Sequence, residues 1–467
     1  MTVPVVVIGG ASGFVGRELG AALAERFRVI GISRGAPRPG GAFSEWRSAD
    51  LLNLGEAEEA LRGARYAVYL VHSMMPSARL TQASFADLDL LSADNFARAA
   101  ASAGVEQIIY LGGLVPESAR LSPHLESRRE VEGTLARHGV PVTTLRAGLV
   151  IGGGGSSFEM LVKLVRRLPA MICPRWTQNR MQPIAIDDVV KLLAFVVGRH
   201  DCFGQVFDVG APELLTYREL MVMCAELLGV HRTMIPVRLF TPSLSRLWVS
   251  LVTGAPAALV GPLVESLRHE MIARDHRLAD MAGITLEPVR DALSRALMRP
   301  QQKREEKAET PTPSVVRSVQ RILLPQERDA AWAAGEYARW LPRVLRGLVH
   351  VDVDPKGNIR FFLLFLRLPL LVLRYAADRS TPERQLFFVD GGLLSRPNTR
   401  GRFELRQVLD RRTMLVAVHD YSTRLPWLVY VATQARFHAW VMAAFRRHLA
   451  AIARIEIDPA GSAAKRT

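Results

Sequence analysis

The chain has 467 residues, of which 49% are hydrophobic and 22% are charged. This length exceeds what one hydrophobic core usually serves and predicts two domains, and the composition excludes a disordered protein. The net charge is +15, and residues 301–467 hold 28 Lys and Arg against 16 Asp and Glu. That excess fits an anionic lipid surface, a phosphorylated ligand, an acidic protein or an Arg-rich solvated surface. Nucleic-acid binding is not expected, because none of its usual sequence signatures is present.

The cysteines indicate a reducing compartment, and the apolar runs are too short to indicate a membrane span. Cys173, Cys202 and Cys224 lie far apart without metal-ligand spacing, which predicts buried reduced thiols. The N-terminus lacks a secretory signal, and no run reaches the roughly 20 apolar residues of a membrane span. The most apolar run, residues 361–375, is interpreted as part of a core or of a cavity wall, and shallow membrane contact is the alternative. We expect a cytoplasmic protein, and peripheral attachment to the inner face of the membrane is the alternative.

The first 150 residues alternate β-branched runs with Ala-rich helical stretches. This rhythm predicts a doubly wound parallel sheet of the Rossmann α/β class. Residues 155–298 show a looser pattern of helices and Pro- and Arg-rich loops, typical of added substrate-binding elements. The predicted strands are Val5–Ile8, Arg28–Ser33, Ala67–His72, Gln107–Leu111 and Val142–Leu145, and the predicted helices include Phe14–Arg26 and Thr81–Ala103.

A glycine-rich turn follows the first predicted strand and opens a helix. In that context Gly10 permits a tight turn, Gly13 lets backbone amides reach a pyrophosphate, and Gly16 allows close helix-to-strand packing. The N-terminus of the helix adds positive potential for the phosphates. We therefore predict a dinucleotide site, and Ser12 and Phe14 belong to the same loop.

The end of the second strand favours NADP(H) over NAD(H). An NAD site usually places a carboxylate there, whereas this chain has Ser33 and Arg34, and an arginine suits a 2′-phosphate. Asp50 and Leu51 follow the presumed third strand. They fit either a contact to adenine or a simple strand-end turn.

Four sequence stretches in order carry a family resemblance: YLVHSM, YLGGL, SPHLESRREVE and PRWTQNRMQPIAIDDVV. Over residues 3–298 the chain resembles the atypical short-chain dehydrogenases, in particular the NmrA-like group and the accessory NADPH-binding subunit of respiratory complex I. The resemblance implies that His72 and Ser73 line the cofactor cleft after the fourth strand. It also implies that residues 146–150 pass the nicotinamide end.

Carbonyl reductases of that wider family use a Tyr with a Lys four residues later. Here His124 and Arg128 stand at the similar place, which makes them candidate catalytic residues with His124 as proton donor. The alternative is that both merely decorate a helix. Further along, three residues form a basic and aromatic loop that is either a substrate loop or an exposed structural one. They are Arg175, Trp176 and Arg180. No metal site is expected.

Residues 299–314 are charged and Pro-containing, which predicts an exposed linker. Residues 315–455 resemble a START-like α+β helix-grip domain, followed by a flexible tail at 456–467. Such a domain implies an apolar pocket between its sheet and its last helix. The predicted strands are 349–353, 359–366, 385–390, 402–409 and 413–420, and the predicted final helix is 428–453. Five aromatic residues either line the pocket or pack in an ordinary core: Trp332, Trp340, Phe387, Trp427 and Trp440.

The sequence therefore predicts a cytoplasmic NADP(H)-dependent oxidoreductase that acts on a small hydrophobic molecule held partly by the C-terminal domain. Two alternatives from other classes remain open. One is a non-catalytic NADP(H)-binding sensor or scaffold, and the other is a lipid-binding protein docked on an anionic membrane surface.

Overall fold

The structure is a computed structural model, and it describes residues 3–35, 41–72, 79–117, 120–237, 249–254, 256–298, 315–396 and 400–457. Its contacts divide the chain into two compact units. The first comprises Met1–Met75 and Asp89–Glu306, and the second comprises Pro76–Leu88 and Lys307–Thr467. Residues 76–88 were expected in the N-terminal domain but group with the second unit. The predicted linker at 299–314 and Ser73 lie outside the described residues, as does the tail from 458.

Up to residue 147 the described strands and helices alternate as the sequence rhythm predicts, apart from the short strands at residues 45–48 and 80–82, which each follow another strand. The strands are β1 (Val5–Gly9), β2 (Arg28–Ser33), β3 (Glu45–Ser48), β4 (Tyr66–Tyr69), β5 (Leu80–Gln82), β6 (Gln107–Gly113), β7 (Val142–Ala147), β8 (Val150–Ile151), β9 (Ala170–Pro174), β10 (Arg180–Met181), β11 (Ile184–Ala185), β12 (Val206–Val209), β13 (Leu215–Thr216) and β14 (Thr233–Val237). The helices are α1 (Phe14–Leu23), α2 (Leu54–Leu61), α3 (Phe85–Ser102), α4 (Pro123–Leu135), α5 (Ser156–Arg167), α6 (Ile186–Val196), α7 (Tyr217–Leu227), α8 (Ala257–Ser266), α9 (Arg277–Ala282) and α10 (Val289–Met298).

The first unit is built on a seven-stranded parallel sheet in the order β12-β7-β6-β4-β1-β2-β3. One face of β1 packs on α1 and α6, and the other face packs with α2, α3 and α4. Val6, Val7 and Ile8 are completely buried because both faces are covered. The strand order reverses direction between β1 and β4, and ligands bind at such a switch point. The predicted doubly wound Rossmann sheet is confirmed.

The second unit holds the remaining described elements. The strands are β15 (Val315–Leu323), β16 (Val349–Val353), β17 (Ile359–Leu363), β18 (Pro369–Tyr375), β19 (Arg384–Gly391), β20 (Arg402–Val408) and β21 (Thr413–Ser422), and the helices are α11 (Ala330–Val344), α12 (Trp427–Ala432) and α13 (Gln434–Ile457).

These strands form one sheet in the order β16-β17-β18-β19-β20-β21-β15-β5. The neighbours are antiparallel, except that β5 pairs with β15 in parallel. The sheet shares one core with α11 and α13, in which Trp340 and Phe445 contact each other. The predicted α+β class of this unit is confirmed. Among the described helices, none is long and apolar enough to cross a membrane.

Sequence patterning misjudged four elements of this unit. Residues 81 and 82 were predicted as the start of a helix, but residues 80–82 form β5 because β15 supplies a hydrogen-bonding partner from more than 200 residues away. The elements β15, β18 and α11 were not predicted. β18 was hidden in the apolar run 361–375, where periodicity cannot separate two short strands.

Candidate functional site

The glycine loop between β1 and α1 has the geometry expected of a dinucleotide cradle. Gly10 has a φ of +83°, and Gly13 N–H donates to the Gly10 carbonyl at 2.9 Å. A Cβ added at Gly16 would lie 2.4 Å from that carbonyl oxygen, so only glycine fits there. Ser12 and Gly13 are exposed at the helix N-terminus. The loop therefore presents backbone amides and helix-end potential to a phosphate group.

Phe14, the first residue of α1, has a packing role as well. Added Cβ atoms at Gly152 and Gly155 would approach its ring to 2.6 and 3.1 Å. The ring therefore lies against the loop before α5, and the two glycines make that contact sterically feasible. This loop follows the predicted nicotinamide-end residues at 146–150.

The residues predicted to contact the adenosine end lie at the carboxyl ends of β2 and β3. Arg34 is exposed directly after β2, and Ser33 accepts a backbone hydrogen bond of 3.0 Å from Ala49. Asp50 accepts from Leu52 N–H at 3.1 Å, so its carboxylate forms the turn that leads into α2. Leu51 is buried. Asp50 and Leu51 therefore form a strand-end turn, and their contact with adenine stays a prediction.

An apolar cavity of about 390 Å³ opens beside the carboxyl ends of β4, β6 and β7. This volume falls within the range of roughly 300–1,000 Å³ typical of small-molecule sites. Its wall at the sheet includes His72, Gly112, Gly113 and residues 147–150. The distal wall comes from α5, α7 and α8 and consists mainly of apolar side chains, which include Met160, Leu164, Met221, Leu263 and Val264.

A buried polar network lies in the sheet-side wall of the cavity. Asp89, which is 1% exposed, accepts hydrogen bonds from His72 Nδ1 at 2.9 Å and from Arg128 Nη2 at 2.8 Å. The same Nη2 lies 3.0 Å from His72 Nε2 and also contacts Nδ1. Burial, followed by the charge of Arg128, lowers the pKa of His72 below its ordinary value. His72 is therefore neutral, and its contact with Asp89 favours the tautomer with the proton on Nδ1.

His124 lies in the same wall, with its ring centroid 5.4 Å from that of His72. Burial, followed by the positive charge of Arg128 and then a smaller electrostatic contribution from His72, lowers the pKa of His124 to about 3. Proton donation by His124 requires titration near physiological pH, and this environment lowers the pKa of His124 far below that range. Arg128 is likewise held by Asp89 inside the wall.

The predicted substrate loop is only partly at the cavity. Trp176 contributes to the wall and contacts Tyr217 with a ring separation of 6.1 Å. Arg175 is exposed and outside the lining, and Arg180 pairs with Glu270 at 2.7 Å on the surface. The structure therefore brings the aromatic residue of the loop to the cavity and leaves the two arginines outside it.

Asp89 and most of the cavity wall were not predicted from the sequence. Asp89 lies near the start of α3 between Leu88 and Leu90, and an acid between apolar neighbours is the one signal that pointed to it. The distal wall comes from helices that are separated in sequence. Within the described residues, no cluster of three or more His, Cys, Asp or Glu side chains is arranged to hold a metal ion.

No family model matches the chain. The auxiliary protein GraX of Staphylococcus aureus is 30% identical over 112 residues, which make up 24% of this chain and 36% of GraX. The chain thus spans little more than a third of that relative.

Several solved structures share the fold at low sequence identity. A nucleoside-diphosphate-sugar epimerase from Staphylococcus aureus has a TM-score of 0.51 at 16% identity, covering 62% of this chain and 99% of its own. An NADPH-dependent quinone oxidoreductase from Escherichia coli, complexed with NADPH, has a TM-score of 0.50 at 18% identity, with coverage of 62% and 98%. Triphenylmethane reductase from Citrobacter, complexed with NADP(H), has a TM-score of 0.50 at 17% identity, with coverage of 62% and 99%. The first unit therefore has the fold of NAD(P)-binding Rossmann-type reductases and epimerases.

Proposed function

We propose that the first unit binds NADP(H) and catalyses hydride transfer between the nicotinamide and a small apolar molecule. The observation that carries this proposal is the apolar cavity of about 390 Å³ at the carboxyl ends of β4, β6 and β7. In open α/β sheets the ligand binds outside these strand ends, at the switch point that lies next to β1 and β4. The glycine loop and the cavity therefore suit the two ends of one extended cofactor.

The residues of the cradle fit a dinucleotide. An added Cβ at Gly10, Gly13 or Gly16 would approach backbone atoms to 3.0 Å or less, and the start of α1 favours the negative pyrophosphate. Arg34 would pair with a 2′-phosphate through a charge-assisted hydrogen bond, which favours NADP(H) over NAD(H). Two of the similar structures contain NADPH or NADP(H), in agreement with this choice.

The wall residues limit the chemistry of the acceptor. The bound nicotinamide would supply a hydride to a carbon of the acceptor. His124 is neutral at physiological pH because its pKa is about 3, so it is a poor acid for the accompanying proton. The charge of Arg128 is balanced by Asp89. Neither His124 nor Arg128 therefore supplies this proton readily, and in this proposal it comes from water after negative charge has formed on the acceptor.

This requirement favours a quinone-like or otherwise conjugated acceptor. Addition of hydride to the conjugated ring system of a quinone leaves a delocalised, phenolate-type oxygen anion, whose conjugate acid has a pKa of about 10, like tyrosine. Reduction of a saturated ketone leaves an alkoxide, whose conjugate acid is much weaker and has a pKa close to that of water. The phenolate-type anion therefore forms far more readily without a proton donor. The predominantly apolar distal wall also suits an aromatic ring.

For the second unit, we propose the START-like role of holding an apolar ligand in its own cavity. A space of about 110 Å³ lies between the sheet and α13, with Leu371, Phe403 and Tyr430 in its wall. An engineered cavity of about 150 Å³ holds benzene, so this cavity suits a ligand fragment of that size or smaller. The five aromatic residues expected at this pocket are not in its lining, and Trp340 packs in the core instead.

Nucleotide titration of the purified chain tests the cofactor assignment. We expect tighter binding of NADPH than of NADH, and we expect Arg34→Ala to weaken NADPH binding about tenfold or more while NADH binding is unchanged. Arg62→Ala, another exposed arginine of the same unit, is the matched control. Failure to bind either nucleotide would overturn the oxidoreductase proposal.

Acceptor reduction tests the reaction class. We expect NADPH oxidation with quinones and not with saturated ketones. Met160→Trp, which fills part of the cavity, should raise KM for the quinone and leave NADPH affinity unchanged. Met223→Trp, placed on the neighbouring core outside the lining, is the control.

The neutral state of His124 also favours a second candidate, a non-catalytic NADP(H)-binding sensor. Such a protein would show the same nucleotide binding and the same Arg34 dependence, but no turnover with any acceptor. The two assays together therefore distinguish a reductase, a sensor and a protein that does not bind nicotinamide nucleotides.

A further inference from the structure

The turn between β17 and β18 carries a group of exposed apolar side chains. Leu364, Phe365, Leu366 and Leu368 are all exposed, and Phe365 is 84% exposed. The turn is ordered by a backbone hydrogen bond of 2.8 Å from Leu366 to Leu363. Contiguous apolar groups of this kind mark interaction sites on soluble proteins.

Three other segments lie at the same end of the sheet. Leu364 N–H donates to the carbonyl of Leu348, at the connection from α11 to β16, at 3.0 Å. Residues 392–396 donate to the start of β18 at 3.0 Å and accept from Arg424 at 3.2 Å. We call these four segments together the Phe365 end. They are residues 343–348, 363–368, 392–396 and 423–429.

The Phe365 end is purely basic. Its four segments contain no Asp or Glu, and they contain five arginines, all exposed: Arg343, Arg346, Arg367, Arg396 and Arg424. The opposite end of the same sheet carries carboxylates in each of its connecting turns, among them Asp354, Asp378, Glu383 and Asp410. The turns at that opposite end mix acidic and basic residues, so uncompensated positive charge and the exposed Phe365 turn occur together at one end of the second unit.

The two C-terminal helices extend the apolar surface. Leu428 is 82% exposed at the start of α12, next to Val429, which is also exposed. On α13 the rings of Phe437 and Trp440 are exposed and stack with centroids 5.9 Å apart. Aromatic residues of this type are favoured where an apolar phase meets water.

We propose that the Phe365 end docks on a membrane surface that contains anionic lipids. Phe365 and the neighbouring leucines enter the boundary between headgroups and acyl chains, and the arginines lie against the negative headgroups. The arginines favour an anionic bilayer as the partner, because its negative headgroups complement basic side chains that surround exposed apolar ones. The proposal does not depend on hydride transfer by the first unit.

The cavity of the second unit lies close to the surface that docks. Leu371, Tyr421 and Tyr430 line that cavity, and they lie at or next to the ends of β18, β21 and α12 that border the Phe365 end. An apolar ligand held there would thus be close to the membrane from which it partitions.

Sedimentation of the full chain with vesicles tests the proposal. We expect binding to phosphatidylcholine vesicles that contain phosphatidylserine, weak binding to phosphatidylcholine alone, and loss of binding at high salt. Phe365→Asp should abolish binding. Replacing Arg367, Arg396 and Arg424 by Gln should weaken it by about 100-fold, at roughly fivefold for each arginine.

Val353→Asp is the matched control, because Val353 is 51% exposed in the same sheet but lies at the opposite end. Unchanged thermal unfolding of each variant shows that the fold is kept. Equal binding to neutral and anionic vesicles, or no effect of Phe365→Asp, would overturn the proposal. A chain that forms dimers in gel filtration and becomes monomeric with Phe365→Asp would also overturn it, since the Phe365 end would then be a contact between two copies.

Discussion

His72 Nδ1 and Asp89 Oδ2 are joined by a hydrogen bond of 2.9 Å within the first unit, although 17 positions separate the two residues. The chain between them includes β5, which adds a strand to the sheet of the second unit. Asp89 also binds Arg128, so one buried carboxylate connects the end of β4 with α3 and α4. The wall of the apolar cavity depends on this carboxylate.

Asp89→Asn is expected to lower the free energy of unfolding of the first unit by about 3 kcal/mol, because it leaves the charge of Arg128 buried without its partner. Glu126→Gln on α4, which removes an exposed pair with Arg129, should change it by no more than a few tenths of a kcal/mol. Denaturant unfolding measures both. Equal effects of the two variants would show that Asp89 is not a structural centre of the wall.

Gly16→Ala should destabilise the chain by about 1–3 kcal/mol and weaken nucleotide binding. The new Cβ would lie 2.4 Å from the oxygen of Gly10 and 2.8 Å from the Cα of Ala11, and both are backbone atoms that cannot rotate away. Gly133→Ala is the control, because a Cβ at that helical position meets nothing within 4 Å. It should stabilise the chain by about 0.5–1 kcal/mol. A Gly16→Ala protein that binds NADPH normally would contradict the assignment of the loop.

Acid should destabilise the first unit through His124. Its pKa is about 3 in the folded chain and about 6.5 in the unfolded chain. Above pH 6.5 both states are neutral, whereas below it only the unfolded chain takes up the proton, so the free energy of unfolding falls as the pH falls. Between pH 7 and pH 5, the free energy of unfolding of His124→Gln should fall by about 2 kcal/mol less than that of the original chain.

The lowered pKa of His72 acts in the same direction and remains in the His124→Gln variant. His350→Gln, which changes an exposed histidine, should retain the full acid sensitivity. Identical pH dependence of the original chain and His124→Gln would show that His124 is not buried as described.

The three cysteines should be inert in the folded chain. Cys173, Cys202 and Cys224 are free and buried, and burial raises the pKa of Cys202 and of Cys224 to about 11. Because the thiolate is the reactive form, a thiol reagent at pH 8 should label none of them rapidly before unfolding and all three afterwards. Rapid labelling of one thiol in the native protein would reveal an accessible and reactive site.

Local sequence patterns determined the Rossmann sheet and the glycine loop. The strand before Gly10, the spacing to Gly13 and Gly16, and the helix that follows are all set by contacts within about ten residues, where backbone geometry leaves few choices. The same reasoning found the strands β16, β19, β20 and β21, whose β-rich runs are clear in the sequence.

Only the tertiary structure decided the features that depend on distant partners. β5 is a strand because β15 pairs with it, and Asp89 belongs to the polar network of the wall because His72 and Arg128 meet it there. The pKa of His124 follows from burial and from the neighbouring charge of Arg128, which no local pattern expresses. The cavity and the Phe365 end likewise join segments that are far apart in the chain. Their chemistry arises from the juxtaposition of side chains in space, and the sequence alone contains no local signal of that juxtaposition.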